Sequence, residues 1–131
     1  MRILITGASG MLGATIVNML SKKFVVFATG NSEYELIDCE YKIFDLLNDN
    51  YDELINWSKP DLIIHSGALT NGNYCKENPL EAFCVNGLSV KKLIDASNDS
   101  VKIIYISTDA VFPSERHMAK EVNPVSPENM Y

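Results

Sequence analysis

The chain has 131 residues, 47% hydrophobic and 21% charged, a composition typical of one globular domain with its own core. Its formal net charge of −6 argues against nucleic acid or an anionic membrane as a partner, because both bind basic surfaces. The sequence has no apolar run of membrane-spanning length and no signal-peptide layout at its start. We therefore expect a cytoplasmic protein that binds neither nucleic acid nor a membrane.

The cysteines and histidines show no metal-binding pattern. Cys39, Cys75 and Cys84 have no CxxC pairing, and His65 and His117 lie far apart without a ligand cluster near either. We expect reduced thiols and no structural metal.

The first residues predict a strand, a glycine-rich turn and then a helix over residues 11–22. Gly7 can take the tight turn off the strand, Gly10 lets a pyrophosphate approach the backbone, and Gly13 lets the helix pack close to the strand. The start of the helix offers unpaired N–H groups and a partial positive charge to an anion. Together these features predict the opening of a dinucleotide-binding βαβ unit.

The rest of the chain predicts further buried strands alternating with helices. Pro60 ends one predicted helix, and the last predicted helix carries an apolar stripe of Leu80, Phe83, Cys84, Gly87, Leu88 and Ile94. The predicted strands cover residues 2–6, 24–28, 41–44, 61–65 and 102–107, and the later helices cover residues 51–58 and 78–97.

The end of the second strand bears on the choice of cofactor. NAD-binding units place an acidic residue here for the adenosine ribose, but this chain has none before Glu33. The missing carboxylate favours NADPH, with Asn31 and Ser32 as donors to its 2′-phosphate and help from Lys22 or Lys23. Use of NADH stays open, as does the alternative that these are turn residues without a cofactor contact.

Three other positions attract attention on local grounds. Asp45 follows the third strand, where open α/β sheets bind ligands, and the alternative is that it caps the next helix. His65 ends an apolar strand and is better explained as a hydrogen-bonded core residue than as a base. Asn86 lies in the middle of a predicted helix, which is locally unfavourable, and the alternative to a site role is a solvent-facing side chain.

The motifs TGxxGxxG at the start, STDxVF from Ser107 to Phe112 and the proline-containing stretch before Tyr131 resemble the extended short-chain dehydrogenases/reductases. Within them the chain is similar to the dTDP-4-dehydrorhamnose reductase group. The expected fold is a doubly wound α/β, Rossmann-like parallel sheet in strand order 3-2-1-4-5, with right-handed crossovers and helices on both faces.

The resemblance implies a set of cofactor-binding residues. Asp45 is expected against the adenine amino group, Gly67 and Ala68 under the ribose and nicotinamide, and Asn86 in support of the active site through the backbone. The full expected set is Gly7, Ser9, Gly10, Met11, Leu12, Gly13, Asn31, Ser32, Asp45, Leu46, Ser66, Gly67, Ala68, Thr70 and Asn86.

The resemblance also implies two catalytic residues. Tyr131 matches the tyrosine that protonates the substrate oxygen, and Thr108 matches the hydroxyl that orients the same oxygen. The family has a lysine four positions after the tyrosine, beyond the last residue of this chain. We therefore expect residues 1–131 to be an incomplete NAD(P)-binding Rossmann domain that lacks the C-terminal substrate-binding part and is inactive alone. A polar loop at 113–121, including Arg116 and His117, is a candidate cap near the substrate.

The expected function of the parent protein is NAD(P)-dependent reduction of a nucleotide-linked 4-keto sugar in deoxysugar and cell-surface polysaccharide synthesis. One alternative is a nucleotide-sugar epimerase or dehydratase of the same superfamily. Another is a non-catalytic dinucleotide-binding subunit, because a fold does not fix a function. A nucleotide sugar is the expected substrate, and a homodimer is left open.

Overall fold

The computed structural model describes residues 1–35, 38–115, 118–128 and 131. Its centre is a five-stranded sheet in the order β3-β2-β1-β4-β5, with every neighbouring pair parallel. The predicted fold class and strand order are confirmed. The strands are β1 (Arg2–Thr6), β2 (Val25–Gly30), β3 (Glu40–Ile43), β4 (Leu62–His65) and β5 (Lys102–Tyr105).

The helices lie in the connections between these strands, and each predicted strand begins within one residue of the observed one. The helix predicted over residues 78–97 is divided by a π-helical turn into two helices, and one further helix and a 3₁₀ turn were not predicted. The helices are α1 (Met11–Leu20), α2 (Tyr51–Ser58), α3 (Gly72–Glu77), α4 (Pro79–Phe83) and α5 (Ser89–Ala96), with the π turn at Cys84–Leu88 and the 3₁₀ turn at Asp109–Val111.

Alternate side chains of the sheet build two cores, one on each face. On one face Ile3 and Ile5 of β1 pack with Val17 of α1. On the other, Leu4 packs with Leu54 of α2 and Leu93 of α5. Helices therefore cover both faces, as a doubly wound fold requires. The buried members of the first core are Ile3, Ile5, Ala8, Val17, Val26, Ala28 and Ile64; those of the second are Leu4, Phe27, Phe44, Tyr51, Leu54, Ile63 and Leu93.

Helix α2 has the predicted bounds because its ends are locally encoded. The Asn50 side chain accepts hydrogen bonds from the backbone N–H groups of Asp52 and Glu53, which caps the helix. Lys59 adopts a left-handed conformation with φ 42° directly before Pro60, and the helix stops there.

The predicted stripe of the long helix is wrong. Leu80, Phe83 and Ile94 are 82%, 53% and 55% exposed, whereas Ala82, Val85, Ser89 and Leu93 are buried. The buried positions lie on a different face of the helix from the predicted stripe, and Leu93 is the one among them that packs with Leu4 of the sheet. The buried positions continue through the π turn at Cys84–Leu88, to which Val85 belongs.

Within the described residues, none of the helices combines the length and the hydropathy that crossing a bilayer demands. The same part of the chain contains no cluster of three or more histidine, cysteine or acidic residues suited to a metal ion. All three cysteines are free thiols, and Cys75 is buried.

Candidate functional site

A cleft of about 1430 Å³ opens at the carboxyl edge of the sheet. It is lined by the segments that leave β1, β2, β3, β4 and β5, which is where open α/β sheets bind ligands. All the residues of the expected cofactor-binding set and both expected catalytic residues line this one cleft. They are Gly7, Ser9, Gly10, Met11, Leu12, Gly13, Asn31, Ser32, Asp45, Leu46, Ser66, Gly67, Ala68, Thr70, Asn86, Thr108 and Tyr131.

The floor of the cleft is a backbone contact between two turns. Gly7 has φ 70°, and a Cβ placed on it would lie 2.5 Å from the Cα of Gly67. A side chain at Gly7 would therefore be both conformationally strained and in collision with the exit of β4. Helix α1 also packs directly on this turn, because a Cβ at Gly13 would collide with the carbonyl oxygen of Gly7. The roles predicted for Gly7 and Gly13 match this geometry.

The N-terminus of α1 faces the same cleft. Gly10 caps this helix of 10 residues without a side-chain hydrogen bond, and its first turn has no acidic residue. Its first N–H groups and its positive dipole end are therefore available to an anion. Met11 is 90% and Leu12 47% exposed beside it. This arrangement suits a diphosphate.

The turn after β2 places Asn31 and Ser32 in the cleft, both exposed. Lys22 and Lys23 do not line it. They precede β2 and lie at the opposite edge of the sheet, a full strand length away, or roughly 20 Å for a strand of this size. The expectation that either lysine helps to hold a 2′-phosphate is therefore wrong.

Asp45 does not cap α2, because Asn50 does. Its carboxylate instead stabilises the turn after β3, accepting from the Leu47 N–H at 2.9 Å and the Asn48 side chain at 2.8 Å. Each carboxylate oxygen has a second lone pair for a ligand. The Tyr51 hydroxyl donates to the neighbouring Leu46 carbonyl at 2.7 Å, which fixes the same turn.

Asn86 lies in the π turn and does not face solvent. Its Oδ1 accepts from the Leu69 N–H at 2.8 Å, and its Nδ2 donates to the Leu69 carbonyl at 3.0 Å. The Tyr105 hydroxyl donates to the Asn86 carbonyl at 3.2 Å. Asn86 thus holds the backbone between Ala68 and Thr70, a segment that lines the cleft.

Thr108 and Tyr131 line the cleft beyond the end of β5. Thr108 caps the 3₁₀ turn: its Oγ1 accepts from the Ala110 N–H at 3.2 Å and donates to Asp109 Oδ1 at 3.3 Å. The bond to Asp109 is long, so the hydroxyl can turn its hydrogen towards a ligand at small cost. Tyr131 is half-buried.

His65 is a core residue, as predicted, and is fully buried. Its Nδ1 lies 2.6 Å from Thr6 Oγ1 and its Nε2 lies 3.0 Å from Ser89 Oγ. Because Ser89 donates its hydrogen to the Val85 carbonyl, its oxygen accepts from His65, which assigns the proton to Nε2. Burial lowers the pKa of His65 to about 4, so the ring is neutral near pH 7.

Some residues of the cleft were missed by the sequence analysis. Tyr105 lines it, stacks on His65 with ring centroids 5.7 Å apart and supports Asn86. Its place two residues before the STDxVF motif was the available signal. Phe83, predicted to be core, also lines the cleft, as does Tyr34.

A smaller cleft of about 510 Å³ lies next to the 3₁₀ turn, and Asp109, Ser114 and Glu128 are among its lining residues. Glu128 accepts a hydrogen bond from the Ser114 N–H at 2.7 Å, and this bond lowers the pKa of the Glu128 carboxyl. Arg116 and His117 of the predicted cap lie outside the described residues.

A protein-family model and several known proteins are similar to this chain. The protein-family model described as the RmlD substrate binding domain matches residues 1–131. The chain is 32% identical over 114 residues to a probable low-salt glycan biosynthesis reductase of Haloferax volcanii, an alignment that covers 85% of this chain and 38% of that protein. It is 29% identical to a dTDP-4-dehydrorhamnose reductase of Aggregatibacter actinomycetemcomitans, across 99% of this chain and 42% of the relative.

Among solved structures, the chain matches the crystal structure of a hypothetical dTDP-4-dehydrorhamnose reductase from Sulfolobus tokodaii. The TM-score is 0.90 at 33% identity, and the match covers 100% of this chain and 48% of that one. The chain therefore spans less than half the length of these relatives.

Proposed function

The chain belongs to the RmlD substrate binding domain family, and from that premise we propose that it is the cofactor-binding part of an NAD(P)H-dependent reductase of a nucleotide-linked 4-keto sugar. The observation that carries the proposal is the single cleft lined by the glycine turn, the β2 and β4 exits, Thr108 and Tyr131. Under this proposal residues 1–131 form an NAD(P)-binding Rossmann domain, and residues beyond them supply most of the sugar site.

Under this proposal an extended dinucleotide lies along the cleft. The start of α1 suits the diphosphate, since its free N–H groups and dipole favour negative charge. Asp45 then meets the adenine amino group as an acceptor. At the other end, Gly67 and Ala68 leave room for the ribose and nicotinamide over the backbone floor.

The chemistry divides between the cofactor and this chain. A bound NAD(P)H supplies a hydride to the carbonyl carbon of the substrate. Tyr131 donates a proton to the carbonyl oxygen as negative charge builds there. Thr108 turns its hydroxyl from Asp109 to the same oxygen and orients it. Asn86 acts through Leu69, whose backbone it holds at the edge of the cleft.

We place NADPH ahead of NADH as the cofactor. The turn after β2 has neutral donors, Asn31 and Ser32, where a carboxylate would repel a 2′-phosphate. Lys22 and Lys23, between α1 and β2, do not line the cleft, so the preference depends on these two donors and is modest.

The substrate class follows the relatives. Two are named dTDP-4-dehydrorhamnose reductase, one of them as hypothetical, and a third is named a glycan biosynthesis reductase. We propose that the parent protein reduces a nucleotide-linked 4-keto sugar for deoxysugar or cell-surface polysaccharide synthesis.

The test uses the protein as the cell makes it. Calorimetric titration with NADPH and NADH measures cofactor binding, and dTDP-4-dehydrorhamnose is then added while NADPH consumption and the reduced sugar are followed. We expect both cofactors to bind and NADPH to be consumed in step with sugar reduction. Binding without turnover would indicate a non-catalytic module, and NAD that stays bound and unchanged through turnover would indicate an epimerase or dehydratase.

A further inference from the structure

The hydroxyl of Tyr41 connects two segments of the cleft that are distant in sequence. Tyr41 lies on β3, opposite Ala28 of β2, and packs against the core on the α1 face. Its hydroxyl donates to the Ser32 carbonyl at 2.6 Å. The same oxygen is hydrogen-bonded to the side chain of Ser9, in the glycine turn. Since Tyr41 donates to Ser32, its oxygen accepts from Ser9.

This hydroxyl pair occupies the space beside Gly30. A Cβ placed on Gly30 would lie 2.5 Å from both Ser9 Oγ and the Tyr41 hydroxyl oxygen. The missing side chain at the end of β2 is therefore what lets the two hydroxyls meet. The chain of hydrogen bonds from Ser9 through Tyr41 to Ser32 joins the proposed diphosphate site to the proposed site of the adenosine ribose, at Asn31 and Ser32.

The bond from Tyr41 affects Asn31 and Ser32, the proposed donors at the adenosine ribose. Asn31 and Ser32 are exposed, and a flexible turn would lose conformational entropy on gathering around a phosphate. The bond from Tyr41 fixes the Ser32 backbone before a ligand arrives. A 2′-hydroxyl needs few contacts here, but a 2′-phosphate needs several donors at once, so the fixed turn benefits NADPH more than NADH.

We propose that Tyr41 is a positioning residue for cofactor choice, which holds the Asn31–Ser32 turn in the conformation that accepts a 2′-phosphate. This inference rests on the proposed function and adds to it a residue outside the predicted site. Tyr41 acts through Ser32 and Ser9, and its ring keeps its place in the core when only the hydroxyl is removed.

The test is calorimetric titration of wild-type protein and the Tyr41→Phe variant with NADP⁺ and NAD⁺. We expect the variant to bind NADP⁺ about 10-fold more weakly, a fold-change typical for the loss of one hydrogen bond, and NAD⁺ within about threefold of wild type. Gly30→Ala places a methyl group against the hydroxyls of Ser9 and Tyr41 and so pushes them apart. It should also weaken binding of NADP⁺ more than binding of NAD⁺. Tyr74→Phe, which removes an exposed hydroxyl on α3, should leave the ratio unchanged.

Equal weakening of both dinucleotides in Tyr41→Phe, or no change in either, would overturn the inference, because a merely structural role does not alter the ratio. Wild-type protein that binds neither dinucleotide would refute the proposed function, and the inference would fall with it.

Discussion

Asn86 holds the backbone of Leu69 at two points, accepting from its N–H at 2.8 Å and donating to its carbonyl at 3.0 Å. An amide matches a peptide unit in this way because it carries one acceptor and one donor side by side. The turn that Asn86 occupies is itself held by Tyr105 from β5. The edge of the cleft therefore depends on contacts between three separate parts of the chain.

Replacement of Asn86 by alanine should weaken both stability and binding. The half-buried N–H of Leu69 loses its partner, and the Leu69 carbonyl keeps only the weak bond from Cys75 Sγ at 3.4 Å. We expect the unfolding free energy to fall by about 1 to 3 kcal/mol in urea titrations. Affinity for NADPH should fall as well, because the segment from Ala68 to Thr70 is no longer fixed. Asn73→Ala, at an exposed position of α3, is the matched control and should change neither quantity. Wild-type affinity in Asn86→Ala would contradict the role.

Gly7→Ala should be severely destabilising. The positive φ costs a residue with a Cβ about 1 to 2 kcal/mol, and the collision with Gly67 adds a similar amount. We expect a loss of about 2 to 4 kcal/mol in thermal or urea unfolding. The control is Gly72→Ala in the first turn of α3, where an added Cβ meets nothing within 4 Å. That variant should match or exceed wild-type stability, and equal effects in the two variants would show that the backbone contact is unimportant.

Acidification should lower the free energy of unfolding, because His65 takes up a proton more readily in the unfolded chain. Its pKa is about 4 in the folded protein and near 6.5 in the unfolded chain, so between these values only the unfolded chain takes up the proton. This linkage removes about 2 kcal/mol between pH 7 and pH 4.5. Urea titrations at several pH values measure the loss. His65→Gln cannot titrate and should show a pH dependence smaller by that amount; an unchanged dependence would exclude His65 as the cause.

Tyr131→Phe should separate catalysis from binding. Loss of a general acid typically slows turnover by about 100-fold or more, while the ring that lines the cleft is retained. We expect kcat for sugar reduction to fall by that amount with the NADPH dissociation constant unchanged. Tyr74→Phe controls for removal of a phenol outside the cleft. A Tyr131→Phe variant with wild-type kcat would assign the proton to another group.

The sequence predicted features that depend on neighbouring residues. Gly7 follows its strand directly, and Pro60 marks the C-terminal end of α2, so these features could be placed without knowledge of the fold. The cap at the other end of α2 is Asn50, whereas the sequence analysis offered Asp45 as the alternative. The strand order followed from the resemblance and from general rules for parallel sheets.

The failures concern relations between distant residues. Lys22 and Lys23 are near Asn31 in sequence, but β2 carries the chain to the opposite edge of the sheet before Asn31 is reached. The stripe containing Leu80 and Ile94 failed because it was drawn on the wrong face of the helix: the buried positions are Ala82, Val85, Ser89 and Leu93, and they include a serine that an apolar pattern does not mark. Tyr41 was assigned only to a strand, because its hydroxyl meets Ser9 and Ser32 only in the folded chain.

The contact between Gly7 and Gly67 means that this part of the cleft surface is main chain from two turns. Main-chain groups are the same in every protein, so this surface offers shape and dipoles but no chemical identity that a substitution can adjust. Any change in which molecule the cleft accepts must therefore come from its walls, where Asn31, Asp45 and Thr108 present side chains.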